Sequence, residues 1–388
     1  MKNNRTFLEK LLDGAEVEWK TLDEIFHLKN GYTPSKGVKE YWENGSIPWF
    51  RMEDIRENGR ILNTALQKVS ESAVKGGKLF PANSIIIATS ATIGEHALIT
   101  IPFLANQRFT VLSLKPEYID KFNIYFLYHY CFTLDDWCQK NTTMSSFASV
   151  DMNGFRRFPI PIPPLPIQTK IVKILDALTA LTSELTSELT SELILRRKQY
   201  EYYREKLLSF DSLERLNEGG GKKKLIDVCI NIFSGKNKER NDSGLYPIYG
   251  STGIIGKTNK KEFSNEQILV ARVGANAGYV HIAQGEYDVS DNTLIIQHNK
   301  NIDLKFLYHT LVNMKLNQYA KGAGQPLITA GQLKLMEINV PPLEEQQRIV
   351  LILDKFETLT NSITEGLPLA IEQSQKRYEY YRELLLNF

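Results

Sequence analysis

The residues best equipped for chemistry in this sequence are lysines and arginines interleaved with small polar side chains, and the chemistry they suit is recognition. Between residues 222 and 262 stand nine basic residues, Lys222, Lys223, Lys224, Lys236, Lys238, Arg240, Lys257, Lys260 and Lys261, against four acids. Asn237 and the run Tyr246-Pro247-Ile248-Tyr249-Gly250-Ser251-Thr252-Gly253 lie among them, with Arg272 a little further on. A comparable stretch occurs early: Asn30-Gly31-Tyr32-Thr33-Pro34-Ser35-Lys36, then Trp49-Phe50-Arg51 and Arg56. Cations neutralise phosphates without regard to base sequence, whereas Asn, Gln and Arg match the donor and acceptor edges of bases. The candidates for nucleic-acid contact are therefore Tyr32, Lys36, Arg51 and Arg56 in the first stretch. In the second they are Lys236, Asn237, Lys238, Arg240, Tyr249, Ser251, Thr252, Lys257 and Arg272. Any one of them alone is better read as a solvated surface residue. Two such stretches together point to paired readers.

Catalytic motifs are missing. There is no GxxxxGK[ST] phosphate loop, no GxGxxG between a strand and a helix, and no HExxH or nucleophile elbow. The Asn/Asp-Pro-Pro-aromatic tetrapeptide of amino-methyltransferases is absent as well. Six histidines are dispersed along the chain, each better explained as a surface or core residue than as a ligand or base. No catalytic residue and no metal ligand is assigned. Scattered carboxylates of a nuclease leave no linear signature, so that class stays open at this point.

The elements that must position these stretches are announced by an internal repeat. Residues 158–210 align without a gap with residues 336–388, at a constant offset of 178. The first copy begins Pro163-Pro164-Leu165 and passes Gln168, Ile171, Val172, Ile174, Leu175 and Asp176. The second begins Pro341-Pro342-Leu343 and passes Gln346, Ile349, Val350, Ile352, Leu353 and Asp354. Both finish on Tyr-Glu-Tyr-Tyr-Arg-Glu, at residues 200–205 and 378–383, then on Leu-Leu-x-Phe. Fainter echoes lie upstream. Phe126-Leu127-Tyr128-His129 recurs as residues 306–309, Ile85–Ala88 with Gly94 parallels Ile268–Ala271 with Gly278, and Glu9-Lys10-Leu11-Leu12 resembles residues 205–208.

Each gapless copy has the apolar spacing of a long helix, with Leu178, Leu181, Leu185, Leu189 and Leu193 continuing the first stripe and Phe356, Leu359 and Ile363 the second. The simplest burial of two such stripes is against one another, although a dimerisation coiled coil would serve too. Gly366 and Pro368 should interrupt the second rod. The tandem Thr-Ser-Glu-Leu at residues 182–193 places a spacer line at Leu181, Leu185, Leu189 and Leu193. A four-residue period drifts about 40° per unit around a helix, so this line must wrap around its partner. Between the helices, runs such as Ser84–Ala88, Thr110–Leu114, Ile268–Ala271 and Thr293–Gln297 read as strands, and 122–131 and 304–316 as helices. The fold expected is α+β and internally duplicated: two globular domains separated by two long antiparallel helices. Its boundaries are 1–157, 158–210, 211–335 (opening on the Gly-rich linker 217–222) and 336–388.

With 388 residues, 42% hydrophobic and 24% charged, the chain has the balance of a soluble globular protein. A net charge of +2 decides nothing, because binding depends on local patches. Cys131, Cys138 and Cys229 are too few and too scattered for a disulfide frame or zinc site. No apolar run reaches the roughly 18–20 residues of a membrane span, and Met1–Arg5 leads into charged sequence without a secretory core. A cytoplasmic protein without a membrane partner is expected.

Duplicated helices beginning Pro164-Leu165-Pro166-Ile167-Gln168-Thr169-Lys170-Ile171 and Pro342-Leu343-Glu344-Glu345-Gln346-Gln347-Arg348-Ile349, bracketing two unlike α+β units, resemble the specificity subunits of Type I restriction–modification systems. So do Gly31-Tyr32-Thr33-Pro34-Ser35, Tyr41-Trp42 and Ile47-Pro48-Trp49, which look like the opening of many target-recognition domains. The Thr-Ser-Glu-Leu tandem is similar to the spacer repeats of one subgroup. Ile167 departs from the pattern, which usually has Glu there, as at Glu345. The resemblance covers essentially the whole chain. It implies two target-recognition domains at opposite ends of a helical spacer, each reading half of a split, asymmetric site in double-stranded DNA through the major groove. It also implies partners: methyltransferase subunits, usually two, which carry S-adenosylmethionine, and endonuclease/translocase subunits, which use ATP and Mg. This chain itself would bind no cofactor. A stand-alone DNA-binding scaffold or regulator without enzyme partners is the alternative.

Overall fold

Ser84-Ile85-Ile86-Ile87-Ala88 is buried at every position, so both faces of this strand must be covered. The computed structural model describes residues 7–144, 148–216, 222–239, 243–322, 324–362 and 365–388. It divides into two compact units, Met1–Thr186 with Gln373–Phe388, and Ser187–Glu372. Among the described residues five helices have ten residues or more: α1 (Ile124–Lys140), α2 (Leu165–Leu207), α3 (Leu304–Asn313), α4 (Leu343–Asn361) and α5 (Leu367–Leu386). The long helices are shared out between the units, whose limits fall inside α2 and α5.

The first unit is built on β1 (Phe26–Asn30), β2 (Ile47–Phe50), β3 (Ile61–Leu62), β4 (Ser84–Ala88), β5 (His96–Ile99), β6 (Leu104–Ala105) and β7 (Phe109–Leu114). Its main sheet has the order β1-β7-β4-β5-β3, and β2 with β6 belongs to a smaller one. Alternation along the strands sorts the apolar residues into two cores. Ile85, Ile87, Leu98 and Leu112 face Phe126, Leu127 and Leu134 of α1. Ile86, Ala97, Ile99 and Val111 face Phe50, Met52 and Phe103 on the other side.

The second unit repeats the plan with β8 (Cys229–Ser234), β9 (Tyr246–Gly250), β10 (Gly253–Thr258), β11 (Gln267–Ala271), β12 (Val280–Ala283), β13 (Asp288–Val289) and β14 (Thr293–His298). The sheet order is β8-β14-β11-β12, with β10-β9-β13 beside it. Ile268, Val270, Leu294 and Ile296 join Phe306 and Leu307 of α3 in one core. Leu269, Ile295 and Tyr287 make the other. The α+β, duplicated architecture read from the sequence is present; each repeated segment opens on a short strand, Pro159–Ile162 or Glu337–Ile338, and is helical from Leu165 or Leu343 onward rather than from residue 158 or 336.

The helical stripes differ from expectation in what they touch. Ile171, Val172 and Leu175 lie in the same core as Ile85 and Phe126, so the start of α2 packs on its own globular part. Ile349 and Leu353 of α4 do the same in the second unit. A buried glutamine explains why. Gln168 Oε1 accepts the Asn123 N–H at 2.9 Å, while Nε2 donates to Lys121 O at 2.9 Å and Pro163 O at 2.7 Å. Gln346 repeats this on Asp303 N (2.7 Å), Asn301 O (3.5 Å) and Pro341 O (2.7 Å). Each clamp ties the start of a long helix to the segment that opens α1 or α3. About two turns on, His129 meets Asp176 at 2.9 Å and His309 meets Asp354 at 3.1 Å.

Further along, helix pairs with helix. In the second unit Tyr203 stacks on Phe356 and Arg197 reaches Thr360 O, an antiparallel register; in the first, Thr179 donates to the Tyr378 hydroxyl of α5. The expected leucine line is corrected. Leu181 and Leu185 are exposed, at 63% and 42%, and Leu189 and Leu193 are only half-buried. The less exposed seam passes Leu178, Thr182, Thr186, Leu189, Leu193 and Arg196, a spacing near 3.5 that a four-residue period leaves after one or two units. The interruption at Gly366 is real: α4 ends at Asn361 and α5 begins at Leu367, with Gly366 at φ +88°. Ile363, placed on the second stripe, and the linker residues 217–221 lie outside the described residues.

Candidate nucleic-acid interface

Loops that leave the sheets carry the polar residues, and Gly31 sets the first of them. A Cβ there would come within 2.3 Å of the Ala105 and Asn106 carbonyls, so only glycine lets the 31–36 loop lie against the turn before β7. Gly235 holds the same place after β8, against the Val289 and Ser290 carbonyls.

In the first unit this approach encloses a cleft of about 650 Å³ lined by Thr33, Lys36, Lys39, Trp42, Trp49, Arg51, Gln107 and Arg108. Trp42 and Trp49 meet edge to face at 5.1 Å, their indole N–H groups donating to Ser35 O and Tyr32 O. Arg51 lies over the Trp49 ring at 5.6 Å. Lys36 and Arg51 are thus brought together, while Arg56 is exposed on the short helix Met52–Asn58 outside the cleft lining. Tyr32 has a different part from the one expected. Its hydroxyl donates to Ala73 O at 3.1 Å and accepts the Lys75 N–H at 2.9 Å, which pins two loops together.

In the second unit a groove of about 600 Å³ gathers Lys236, Asn237, Lys238 and Lys260 with Ser234, Phe263 and Asp288. Here Asn237 is a brace rather than a free reader: its amide donates to Asp288 at 2.6 Å and its carbonyl accepts the Glu239 N–H. Tyr249 is likewise turned inward, against Tyr287 at 5.3 Å and His281 at 6.1 Å. Ser251 and Thr252 form the turn between β9 and β10, Thr252 exposed, and Lys257 is exposed on β10. Arg272, at the end of β11, reaches Ser234 Oγ at 3.5 Å. Arg240 lies outside the described residues. Gln107, Arg108, Lys39 and Lys260 were not among the sequence candidates. The tripeptide Asn106-Gln107-Arg108 between two strands was the available signal.

Elsewhere the ionisable groups are structural. His309, Asp354 and Glu357 form the one group of metal-ligand type gathered among the described residues. Lys305 already sits on Asp354 and the Tyr200 hydroxyl on His309, so the charges satisfy one another. The pair recurs as His129–Asp176 with Thr179 in the place of Glu357, which suits a clamp. Burial holds both imidazoles below their usual range, partly offset by the aspartates. Burial also lowers His281 to about 4 and raises the Cys138 and Cys229 thiols to about 12, far from a reactive thiolate.

The chain matches the family model for the Type I restriction modification DNA specificity domain twice, over residues 15–194 and 217–373. It is 52% identical over 374 residues to the Type I restriction enzyme EcoprrI specificity subunit of Escherichia coli, covering 93% of this chain and 92% of that one. The EcoR124I/EcoR124II specificity subunit of Escherichia coli is 30% identical over 425 residues, covering 99% and 97%. Among solved structures, a chain from work on complex assembly and conformational transition of the type I R-M system aligns over 96% of both chains, with TM-score 0.69 and 18% identity. The HsdS subunit from Thermoanaerobacter tengcongensis aligns over 96% and 95%, with TM-score 0.58 and 18% identity. These two likenesses bear on the fold.

Proposed function

We propose a function from one premise: this chain belongs to the Type I restriction modification DNA specificity family. It is the DNA specificity subunit of such a system, without catalysis of its own, and it acts with methyltransferase and restriction subunits on DNA. Beyond that, our reading is that each unit reads one half of a split, asymmetric DNA site. The observation that carries this is the pair of clefts: two units share one plan and one glutamine clamp, yet surround their clefts with different polar and basic residues.

Two methyltransferase copies suit a chain that presents the same helical words twice, Tyr202-Tyr203 and Tyr380-Tyr381 both exposed and stacked edge to face. S-adenosylmethionine, ATP and Mg would then act on those partners, with none held by this chain. No helix among the described residues is long and apolar enough to cross a membrane. A cytoplasmic location, where the DNA is, is part of the proposal. The test is exchange of residues 222–335 for the corresponding part of another family member, in the complete complex. Modification-sensitive sequencing should find one half of the methylated site changed and the other retained. Change in both halves overturns the two-reader account.

A further inference from the structure

Two turns that share no residue share one backbone frame. In the first unit, Gly31 N–H donates to Phe109 O (3.0 Å), Asn106 N–H to Phe50 O (3.0 Å), Phe109 N–H to Asn106 O (3.2 Å) and Thr89 N–H to Arg108 O (3.0 Å). In the second, Gly235 N–H donates to Thr293 O (2.9 Å), Ser290 N–H to Tyr249 O (2.9 Å), Thr293 N–H to Ser290 O (3.1 Å) and Arg272 N–H to Asn292 O (2.9 Å). The side chain of the first turn residue closes both: Asn106 Oδ1 accepts the Arg108 N–H, and Ser290 Oγ accepts the Asn292 N–H. Asn106-Gln107-Arg108 and Ser290-Asp291-Asn292 are therefore the same turn. Its first residue is consumed by the frame. Its second and third residues sit on a backbone held by these bonds, Gln107 and Arg108 exposed and Asp291 and Asn292 half-exposed, with the Ser290 hydroxyl donating to Asp291 at 3.4 Å.

We propose that this turn is the base-reading element of each unit, with Gln107 and Arg108 setting the specificity of the first and Asp291 and Asn292 that of the second. The inference rests on the reading that each unit takes one half-site. A rigid frame with exchangeable side chains is what base readout requires, because bidentate contacts tolerate little positional error. In the first cleft the division of labour is legible. Lys36, Lys39 and Arg51 supply cations for phosphates, with Glu43 and Glu53 beside them and Arg51 paired to Glu53, while Gln107 and Arg108 stand exposed in the same lining. Thr33 donates to Gln107 Oε1, so the amide oxygen has a partner within the cleft. The Arg108 guanidinium has no side-chain partner among the described residues. A planar fork of this kind pairs with the O6 and N7 edge of guanine, and a glutamine amide with adenine. At the same turn positions the second unit offers a carboxylate and an amide, which suit cytosine N4 and adenine. One frame with two chemistries produces unlike half-sites.

The experiment uses the complete complex with its methyltransferase subunits and a panel of duplexes in which each base pair of the methylated site is replaced in turn. Arg108→Ala should lose discrimination at one base pair of one half-site, a G·C pair, by about 5- to 150-fold. Discrimination in the other half should be unchanged, which also reports that the complex is assembled. Lys39→Ala should instead weaken every duplex alike and flatten the salt dependence, as a phosphate contact does. If Arg108→Ala behaves like Lys39→Ala, the arginine serves phosphates and the proposal is wrong, while the exchange of residues 222–335 still tests the two-reader account by itself. Should Arg108→Ala fail to assemble, Arg108→Gln keeps a long polar side chain but offers an amide, whose donor and acceptor match adenine rather than guanine. It should show the same selective loss, and full discrimination at that G·C pair in this variant overturns the proposal.

Discussion

Truncating Gln346 to Ala removes the clamp of the second unit while leaving every charge in place. The side chain is fully buried and accepts one backbone N–H while donating to two carbonyls. Two of those bonds are 2.7 Å long, so the variant strands at least the Asp303 N–H and the Pro341 carbonyl away from water. A stranded buried group costs about 1–3 kcal/mol, and two of them with the cavity left behind come to about 3–5 kcal/mol. For a unit the size of Ser187–Glu372 this lowers the melting temperature by about 10 °C. Calorimetry measures the total, and segment-resolved hydrogen exchange shows where it falls. Protection should drop around residues 301–353 and persist around residues 121–176, which the equivalent Gln168 holds. Gln346→Glu keeps the size and the acceptor but turns a carboxylate oxygen toward the Pro341 carbonyl, and should be no better than Ala. A loss below about 1 kcal/mol, or equal loss of protection in both units, would falsify the clamp.

The tandem at residues 182–193 lies within unbroken α2, so deleting or adding one Thr-Ser-Glu-Leu unit changes the rod by roughly 6 Å. At about 3.4 Å per base pair, the preferred gap between half-sites should move by one or two base pairs with both half-sites kept; an unaltered gap in active two-unit and four-unit variants reduces the tandem to filler. Acid should destabilise the protein through its buried imidazoles. Folding keeps His129, His281 and His309 neutral while the unfolded chain protonates them near pH 6.5, so stability is full above that pH and falls as pH drops toward the folded values, about 4 for His281. The urea midpoint should therefore be lower at pH 5 than at pH 7.5, and less so in His281→Gln; equal midpoints refute the assignment.

What could be read in the sequence was whatever the chain says twice in the same words. Gln168 and Gln346, His129 and His309, Asp176 and Asp354 stood out as repeated letters because their side chains make the repeated bonds. The turn at residues 106–108 did not. Its frame is made of backbone N–H and C=O groups, which nearly every residue has, so Asn-Gln-Arg and Ser-Asp-Asn occupy one geometry with no letter shared at the same position. Tyr32, Asn237 and Tyr249 are polar residues in stretches rich in glycine and basic side chains, and that is also the composition of a braced loop. The leucine line misled for a simpler reason. Periodicity reports which residues could form a seam, while the partner's position decides that Thr182 and Thr186 lie on it and Leu181 and Leu185 do not.

The first unit draws its last residues from the far end of the chain. Leu385 and Leu386 lie in the same core as Leu8, Phe126 and Ile171, and Phe388 meets the Phe126 ring at 5.9 Å. During synthesis, residues up to Thr186 therefore emerge well before the segment Gln373–Phe388 that completes them. The intervening 186 residues, 187 to 372, take roughly 10–40 s to make at ribosomal rates. Throughout that interval the earlier-made unit carries an unfilled apolar seat, whereas the later-made unit already has every residue it needs when Glu372 is added. The order of completion is thus the reverse of the order of appearance. A premature stop after Glu372 would spare the second unit and strand the first.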